Sequence, residues 1–455
     1  MIGSMPVLGY LALAAAGLAA LLLWKSLRDF WIRRAALLKF AMTLPGPSTL
    51  PLLGNALQFA VSPDETLDRV VEIIRSNKST FRFWLGPKLV VILTDPRDYQ
   101  TIFASSKASY KDPIYRLMEP AVGQGLVSAS GPVHRTQRKI VMPMLNGKSL
   151  TTYLKYFNIH SHYCGQLLGD RVGYGEFDVL PFMTNCTTDM MFETIFGVSG
   201  AAQKGGYKQF VHYSDRIYEL LHLRMFKVWL HPNFIFENTK IGEEQKAGLK
   251  IVHGVVDQAQ DTTAVISSFT LLMLAMHPEV QKKVREEVDE VLGESEDVRE
   301  EHLSKLRYLE MVIRETLRLF PIAPLMVRKT TGRIELESCT LPEDCSIVLA
   351  AFMTHRSEKY WNEPEKFDPD RFLPENIKKR HPYAYVPFSG GPRGCLGQKF
   401  AIICLKTLVA NLIRSYSFET SEKMEEIKLK MDISIRSRSG YRVKIKRNYR
   451  KKNEN

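Results

Sequence analysis

The feature that most constrains this chain is a ten-residue loop near its carboxyl end, Phe388-Ser-Gly-Gly391-Pro-Arg393-Gly394-Cys395-Leu-Gly397, which runs directly into an apolar stretch. A backbone that wraps closely around a sulfur needs positive-φ residues with no Cβ in the way, and glycine supplies both. A thiol ionises near neutral pH only with help. Two sources stand next to Cys395: the N–H groups opening the helix that follows, and the cation Arg393. Phe388 is placed to shield the sulfur from water. Alone, a cysteine before a helix reads as a buried core thiol. Here the full spacing F-x-x-G-x-R-x-C-x-G is present.

That spacing resembles the haem-binding loop of the cytochrome P450 superfamily. The resemblance implies haem b as cofactor, Cys395 as the axial ligand of its iron, and Arg393, Phe388, Gly391 and Gly397 as the cradle around it. A thiolate in that position donates electron density that favours O–O cleavage. Glu315 and Arg318 in Arg314-Glu-Thr-Leu-Arg318 lie three apart and share a helix face. By itself such a pair is usually solvated. With Phe367-Asp-Pro-Asp-Arg371-Phe372 further on, the resemblance implies a buried Glu-Arg-Arg network, since buried charges must be paired. Glu315, Arg318 and Arg371 are accordingly read as structural.

The amino end carries an address. Residues 5–24 form an uncharged run of twenty, close to the length that spans a bilayer core, followed by Lys25, Arg28, Arg33 and Arg34. Basic residues on the carboxyl side place that side in the cytosol. The run is too long for a signal peptide and no charged segment precedes it, so an anchor is preferred. The expected location is the endoplasmic reticulum membrane, with the catalytic domain facing the cytosol. The formal charge of +13 ends in a basic tail, but no nucleic-acid module accompanies it, so the tail reads as solvated. The six cysteines show neither zinc spacing nor a disulfide framework.

Prolines stiffen residues 44–55 into a connector that resembles the hinge of microsomal members. Two strands flank Gly86-Pro87, and helical periodicity covers 150–168, 180–196, 207–228 and 280–292. The expected fold is mostly α with a small β region. Residues 1–30 are assigned to the anchor and its flank, and 31–455 to a single cytochrome P450 catalytic domain.

Several stretches resemble the microsomal family 4 members: Cys186-Thr-Thr-Asp-Met-Met-Phe-Glu193, Trp229-Leu-His-Pro232, Glu244-Gln-Lys246 and Leu249-Lys-Ile-Val-His253. The resemblance further implies that Arg138, His134 and Arg328 meet the haem propionates, His134 standing where a tryptophan is usual. Gln258-Ala259-Gln-Asp261-Thr262-Thr263 stands at the oxygen-side motif, with Asp261 and Thr262 as the catalytic proton-handling pair. Read without the resemblance, a Thr pair opening an apolar helix is an N-cap. Gln258 replaces the glutamate that some family 4 members esterify to haem, and an amide cannot form that ester. Only a few residues separate His253-Gly254 from this motif, so about fifty are missing by comparison with the family, the equivalent of several helical segments. One helix is expected from about 243 to 276.

The resemblance implies a haem-thiolate monooxygenase that inserts one atom of O2 into a hydrophobic substrate such as a fatty acid. Electrons come from NADPH through cytochrome P450 reductase, with cytochrome b5 as a further partner. The reductase is expected on the thiolate side, against Arg393 and Lys399. Two rivals are a haem-binding protein without monooxygenase activity and a shortened isoform that folds poorly.

Overall fold

The computed structural model describes residues 7–206, 208–252 and 260–448. Helix α1, Val7–Ala41, runs unbroken across residue 30. Leucines in its first half are exposed, Leu18 and Leu21 to Leu23 among them, while Leu37 packs against a core cluster. Near its end it docks: Arg34 lies 4.7 Å over the Trp84 ring and donates to the Pro87 carbonyl. Among the residues whose side chains are described, no single helix is long and apolar enough to cross a membrane. The run 5–24 lies partly outside them.

The connector does not form helix or central strand. It lies along strand β1, Thr80–Leu85, with Arg82 N donating to the Pro45 carbonyl at 2.8 Å. The approach is so close that a Cβ on Gly46 would sit 2.3 Å from the Arg82 carbonyl oxygen. Asn55 fastens the other end, donating to the Ser48 carbonyl and accepting from Trp84 N at 3.0 Å.

Strand β1 pairs antiparallel with β2, Lys88–Leu93, across the Gly86-Pro87 turn. With β3, Met326–Lys329, and β4, Ser346–Leu349, they form a sheet in the order β1-β2-β4-β3. The β2–β4 pair is parallel and β3–β4 antiparallel, opposing Arg328 to Ile347. A small hairpin, β5 Leu429–Met431 and β6 Ile435–Ser437, stands apart.

The body is helical. After α2, Thr66–Arg75, come α3, Gly131–Val141; α4, Gly147–Gly169; α5, Leu180–Met191; and α6, Lys208–Phe226. The helix expected over 180–196 ends in a π-turn, Phe192–Phe196, stopped by Gly197 at φ +67°. Then follow α7, Lys240–Val252; α8, Gln260–Met276; α9, Pro278–Leu292; α10, Arg307–Leu319; and α11, Gln398–Ser415. The junction of the helix expected over 243–276 falls at 253–259, with Gln258 and Ala259, and lies outside the described residues. Its two parts have different neighbours: α7 packs on α6, whereas α8 packs on α5, α10 and α11.

Helix α8 is the centre of the main core, buried on all sides from Ala264 to Ala275. It tolerates polar residues because their hydroxyls return to the backbone: Ser267 and Ser268 donate to the Ala264 carbonyl and Thr270 to that of Ile266. Helix α10 starts against an anion. The Glu287 carboxylate accepts from the N–H groups of Arg307, Tyr308 and Leu309 at 2.6–2.9 Å, the orphan donors of a first turn.

Candidate active site

The cysteine loop is built around a 3-10 turn at Gly391–Arg393. Cys395 N donates to the Phe388 carbonyl at 2.8 Å and Gly394 N to that of Gly391 at 2.9 Å. The glycines serve different ends. Gly391 has φ +64°, and a Cβ there would lie 2.0 Å from the Phe103 carbonyl oxygen. Gly397 has ordinary φ at the N-cap of α11, and a Cβ there would meet nothing within 4 Å. Ser389, at φ +62°, takes a left-handed turn that the sequence reading left to glycine. Phe388 is half-buried against the main core.

Cys395 is exposed, while Cys164, Cys186, Cys345 and Cys404 are buried. The expectation for its thiol needs correction. Although the residue opens to solvent on one side, desolvation by the surrounding protein raises its pKa, against the opposing pull of the Gly397 N–H and Arg138. The cation acting on the sulfur is therefore Arg138, not Arg393.

Arg393 turns inward instead. Its Nη2 donates to the Ala129 carbonyl at 2.8 Å, and Nη1 is buried without a partner. That orientation also weakens its expected part in reductase docking, for which Lys399 is exposed. Arg138 donates to the Gly394 carbonyl at 2.8 Å. Arg328, 2% exposed on β3, reaches Ser389 Oγ at 3.1 Å. His134 is buried, and desolvation followed by Arg393, Arg138, Lys111 and Arg328 lowers its pKa to about 4. It is a neutral donor at physiological pH.

Lys111 joins this group and had no sequence signal of its own. Desolvation, then Arg328 and Arg393, hold its pKa well below the usual lysine range. Among the described residues, none of Arg138, Arg328, Arg393 and Lys111 forms an ion pair with a carboxylate. Positive charge this concentrated requires an anion from elsewhere. A haem, with two carboxylates on one edge and open space at Gly397, fits the donors present.

The loop is tied to the core through Glu315 and Arg318. Their side chains meet in two hydrogen bonds of 2.8 and 2.7 Å. Arg318 also donates to the carbonyls of His355, Pro364 and Lys366. Glu315 accepts from Asp368 N at 2.9 Å and lies 3.3 Å from Arg371 Nε, an ionic contact without hydrogen-bond geometry. Sequence reasoning missed His355. Its Nδ1 lies 3.2 Å from the Arg318 carbonyl and its Nε2 accepts from Val386 N at 2.9 Å, two residues before Phe388. One imidazole thus connects α10 to the cysteine loop.

Asp261 and Thr262 fall in the first turn of α8. The Asp261 side chain is outside the described residues; Thr262 is exposed and Thr263 is buried. Thr262 does not line the apolar chamber of about 330 Å³ between β1, β2, α2 and α6. Lys111 and Tyr115 line it and so join the chamber to the cationic group.

The comparisons with known proteins agree with this geometry. The cytochrome P450 family model matches residues 44–259 and 258–445. Cytochrome P450 4c3 of Drosophila melanogaster is 30% identical over an alignment of 485 positions that covers 91% of this chain and 91% of that protein. Cytochrome P450 4V2 of Homo sapiens is 30% identical, with 87% and 88% covered. Probable cytochrome P450 4s3 of Drosophila melanogaster is 29% identical, with 90% and 92% covered. With a family match across most of its length and these relatives, the chain belongs to the cytochrome P450 family and is family 4-like.

Proposed function

We propose that this chain is a membrane-anchored haem-thiolate monooxygenase of the endoplasmic reticulum, with its catalytic domain in the cytosol. It acts on a hydrophobic substrate, a fatty acid or related lipid, using O2 and electrons from NADPH through cytochrome P450 reductase, with cytochrome b5 as a further donor. The observation that carries this reading is the cationic group beside the Cys395 loop, which has no carboxylate partner of its own.

In this reading Cys395 ligates the iron, and thiolate-bound haem supplies the electron density that favours O–O cleavage. Arg138, Arg328 and Arg393 bind its carboxylates by charge-assisted hydrogen bonds, and Lys111 and neutral His134 add donors. Gly397 leaves open space for it, and Gly391 lets the loop close against Phe103. Asp261 and Thr262 hold and pass protons at the start of α8. The apolar walls of the chamber orient the substrate and exclude water. Anchoring is supported by the exposed leucines of α1 and by Leu52 and Phe234, 92% and 74% exposed. Lys25, Arg28, Arg33 and Arg34 follow the apolar run as the charge rule requires.

The decisive test is the carbon monoxide difference spectrum of the reduced protein. Wild type is expected to show the red-shifted thiolate band, and Cys395→Ala to lose it together with activity. Retention of that band in the variant would reject the ligand assignment. Because Gln258 cannot esterify haem, acid organic solvent should extract the cofactor completely, leaving no haem-linked mass on the chain.

A second reading, a haem-loaded protein of low and poorly coupled turnover, is favoured by one specific observation. The family match divides at 258–259, and the 485-position alignment is longer than the 455-residue chain, so gaps fall within it. Inserting a family-length segment between Val256 and Asp261 is then expected to raise product formed per NADPH consumed. Efficient coupling of the native chain with a lipid substrate, unimproved by the insertion, would dismiss this second reading.

A further inference from the structure

The walls of the chamber are almost wholly apolar, with Phe59, Ile73, Phe81, Phe83, Val90 and Phe226 prominent. Its polar wall residues mostly have charged or aromatic neighbours. Lys88 pairs with Asp112, Lys111 lies 4.0 Å over the Tyr115 ring, and Asp432 is 3.8 Å from Lys430. His222 differs in having both side-chain nitrogens, Nδ1 and Nε2, buried without a hydrogen-bond partner. It is 2% exposed on α6. Its ring packs on that of Phe226, one turn further along, at 4.7 Å between centroids.

Desolvation, with Lys430 nearby, lowers its pKa to about 4. The ring is neutral at physiological pH and carries one donor and one acceptor. Burying these without partners costs free energy, and such a group in a native fold calls for an explanation. Both nitrogens are covered by protein although the residue lines the chamber. The torsion that turns the ring has a broad, roughly two-fold preference, and a turn about it is what would bring an N–H to the chamber.

We infer that His222 is the specificity-determining residue of this chamber, donating a hydrogen bond to an oxygen acceptor at one end of an otherwise apolar chain. The substrate is then an amphipathic lipid, such as a fatty acid or fatty alcohol, and not a hydrocarbon. This deepens the monooxygenase reading and rests on the chamber being its substrate site. A hydrocarbon leaves the imidazole unpaired in the bound state, whereas an oxygenated chain end satisfies it.

The test uses the full-length holoenzyme and competition of decanoic acid, 1-decanol and decane against a fluorescent alkyl probe. Wild type is expected to prefer the oxygenated chains by about tenfold or more, the scale of one buried hydrogen bond. His222→Phe should reduce them to the affinity of decane and leave decane unchanged; His222→Gln, which keeps a donor, should recover part of the preference. Loss confined to the acid identifies a carboxylate end, and loss for acid and alcohol together identifies any oxygen acceptor; either supports the assignment. Equal affinities in wild type, or an unchanged preference in His222→Phe, would overturn it. The carbon monoxide spectrum of the same preparations separates the two claims. A thiolate band with no role for His222 defeats only this inference, and absence of the band defeats the monooxygenase reading while competition still reports on His222.

Discussion

Glu315 and Arg318 meet with both side chains wholly buried, whereas Arg216 and Glu244, which tie α6 to α7, are 37% and 41% exposed. Both are two-point guanidinium–carboxylate contacts of similar length: 2.7 and 2.8 Å in the first pair, 2.6 and 3.0 Å in the second. Their surroundings set them apart. Beneath the cysteine loop every added hydrogen bond replaces lost water, so each partner depends on the others. Between α6 and α7 the charges keep their solvent. The buried pair is therefore costly to disturb, and the exposed pair is cheap to alter.

The largest expected effect breaks the buried side. Glu315→Ala leaves the Arg318 guanidinium buried without its anion, at a cost of about 3–5 kcal/mol. Chemical unfolding should register it, together with loss of haem during purification. A change below about 1 kcal/mol, the range of surface pairs, would erase the contrast between the two regions.

The next effect is in pH. Burial, followed by Arg318 and Arg356, lowers the pKa of His355 to about 3 from an ordinary value of 6.5. Between those values the unfolded chain binds a proton that the folded chain refuses. Stability from the neutral ring is thus full above pH 6.5 and is lost as pH falls toward 3, at about 1.4 kcal/mol per pH unit. Unfolding midpoints between pH 7 and 5 should show this contribution added to those of His134 and His222, and His355→Gln should reduce the slope by about one proton.

A smaller effect sharpens the cofactor side. Arg393→Gln removes a cation whose buried Nη1 lacks a protein partner, and haem transfer to apomyoglobin should accelerate about tenfold or more, the scale of a hydrogen bond to a charged group. The smallest effect belongs to the exposed pair between α6 and α7. A double-mutant cycle on Arg216 and Glu244 should return a coupling of about 0.2–1 kcal/mol that shrinks with added salt.

Legibility followed the same division. The loop from Phe388 to Gly397 and the Glu315, Arg318 and Arg371 positions could be picked out because fixed residue types recur at fixed spacing. The Gly86-Pro87 hairpin and the longer helices were legible from periodicity and turn chemistry, to within a few residues at their ends. Lys111, His355 and His222 were not legible. Each is a lone polar residue whose meaning comes from neighbours far away in the chain: Arg328 and Arg393 for Lys111, Val386 for His355, and the walls of the chamber for His222.

Local chemistry along the chain determined which segments become helix, turn or loop, and which cysteine stands apart from the core thiols. Only the tertiary structure decided the electrostatics. It turned Arg393 inward toward Ala129, put Arg138 nearest in effect to the Cys395 sulfur, and set desolvation above both as the dominant influence on that thiol. The physical reason is that desolvation and Coulomb energy depend on what surrounds a group in three dimensions, and the surroundings here are assembled from segments hundreds of residues apart in sequence.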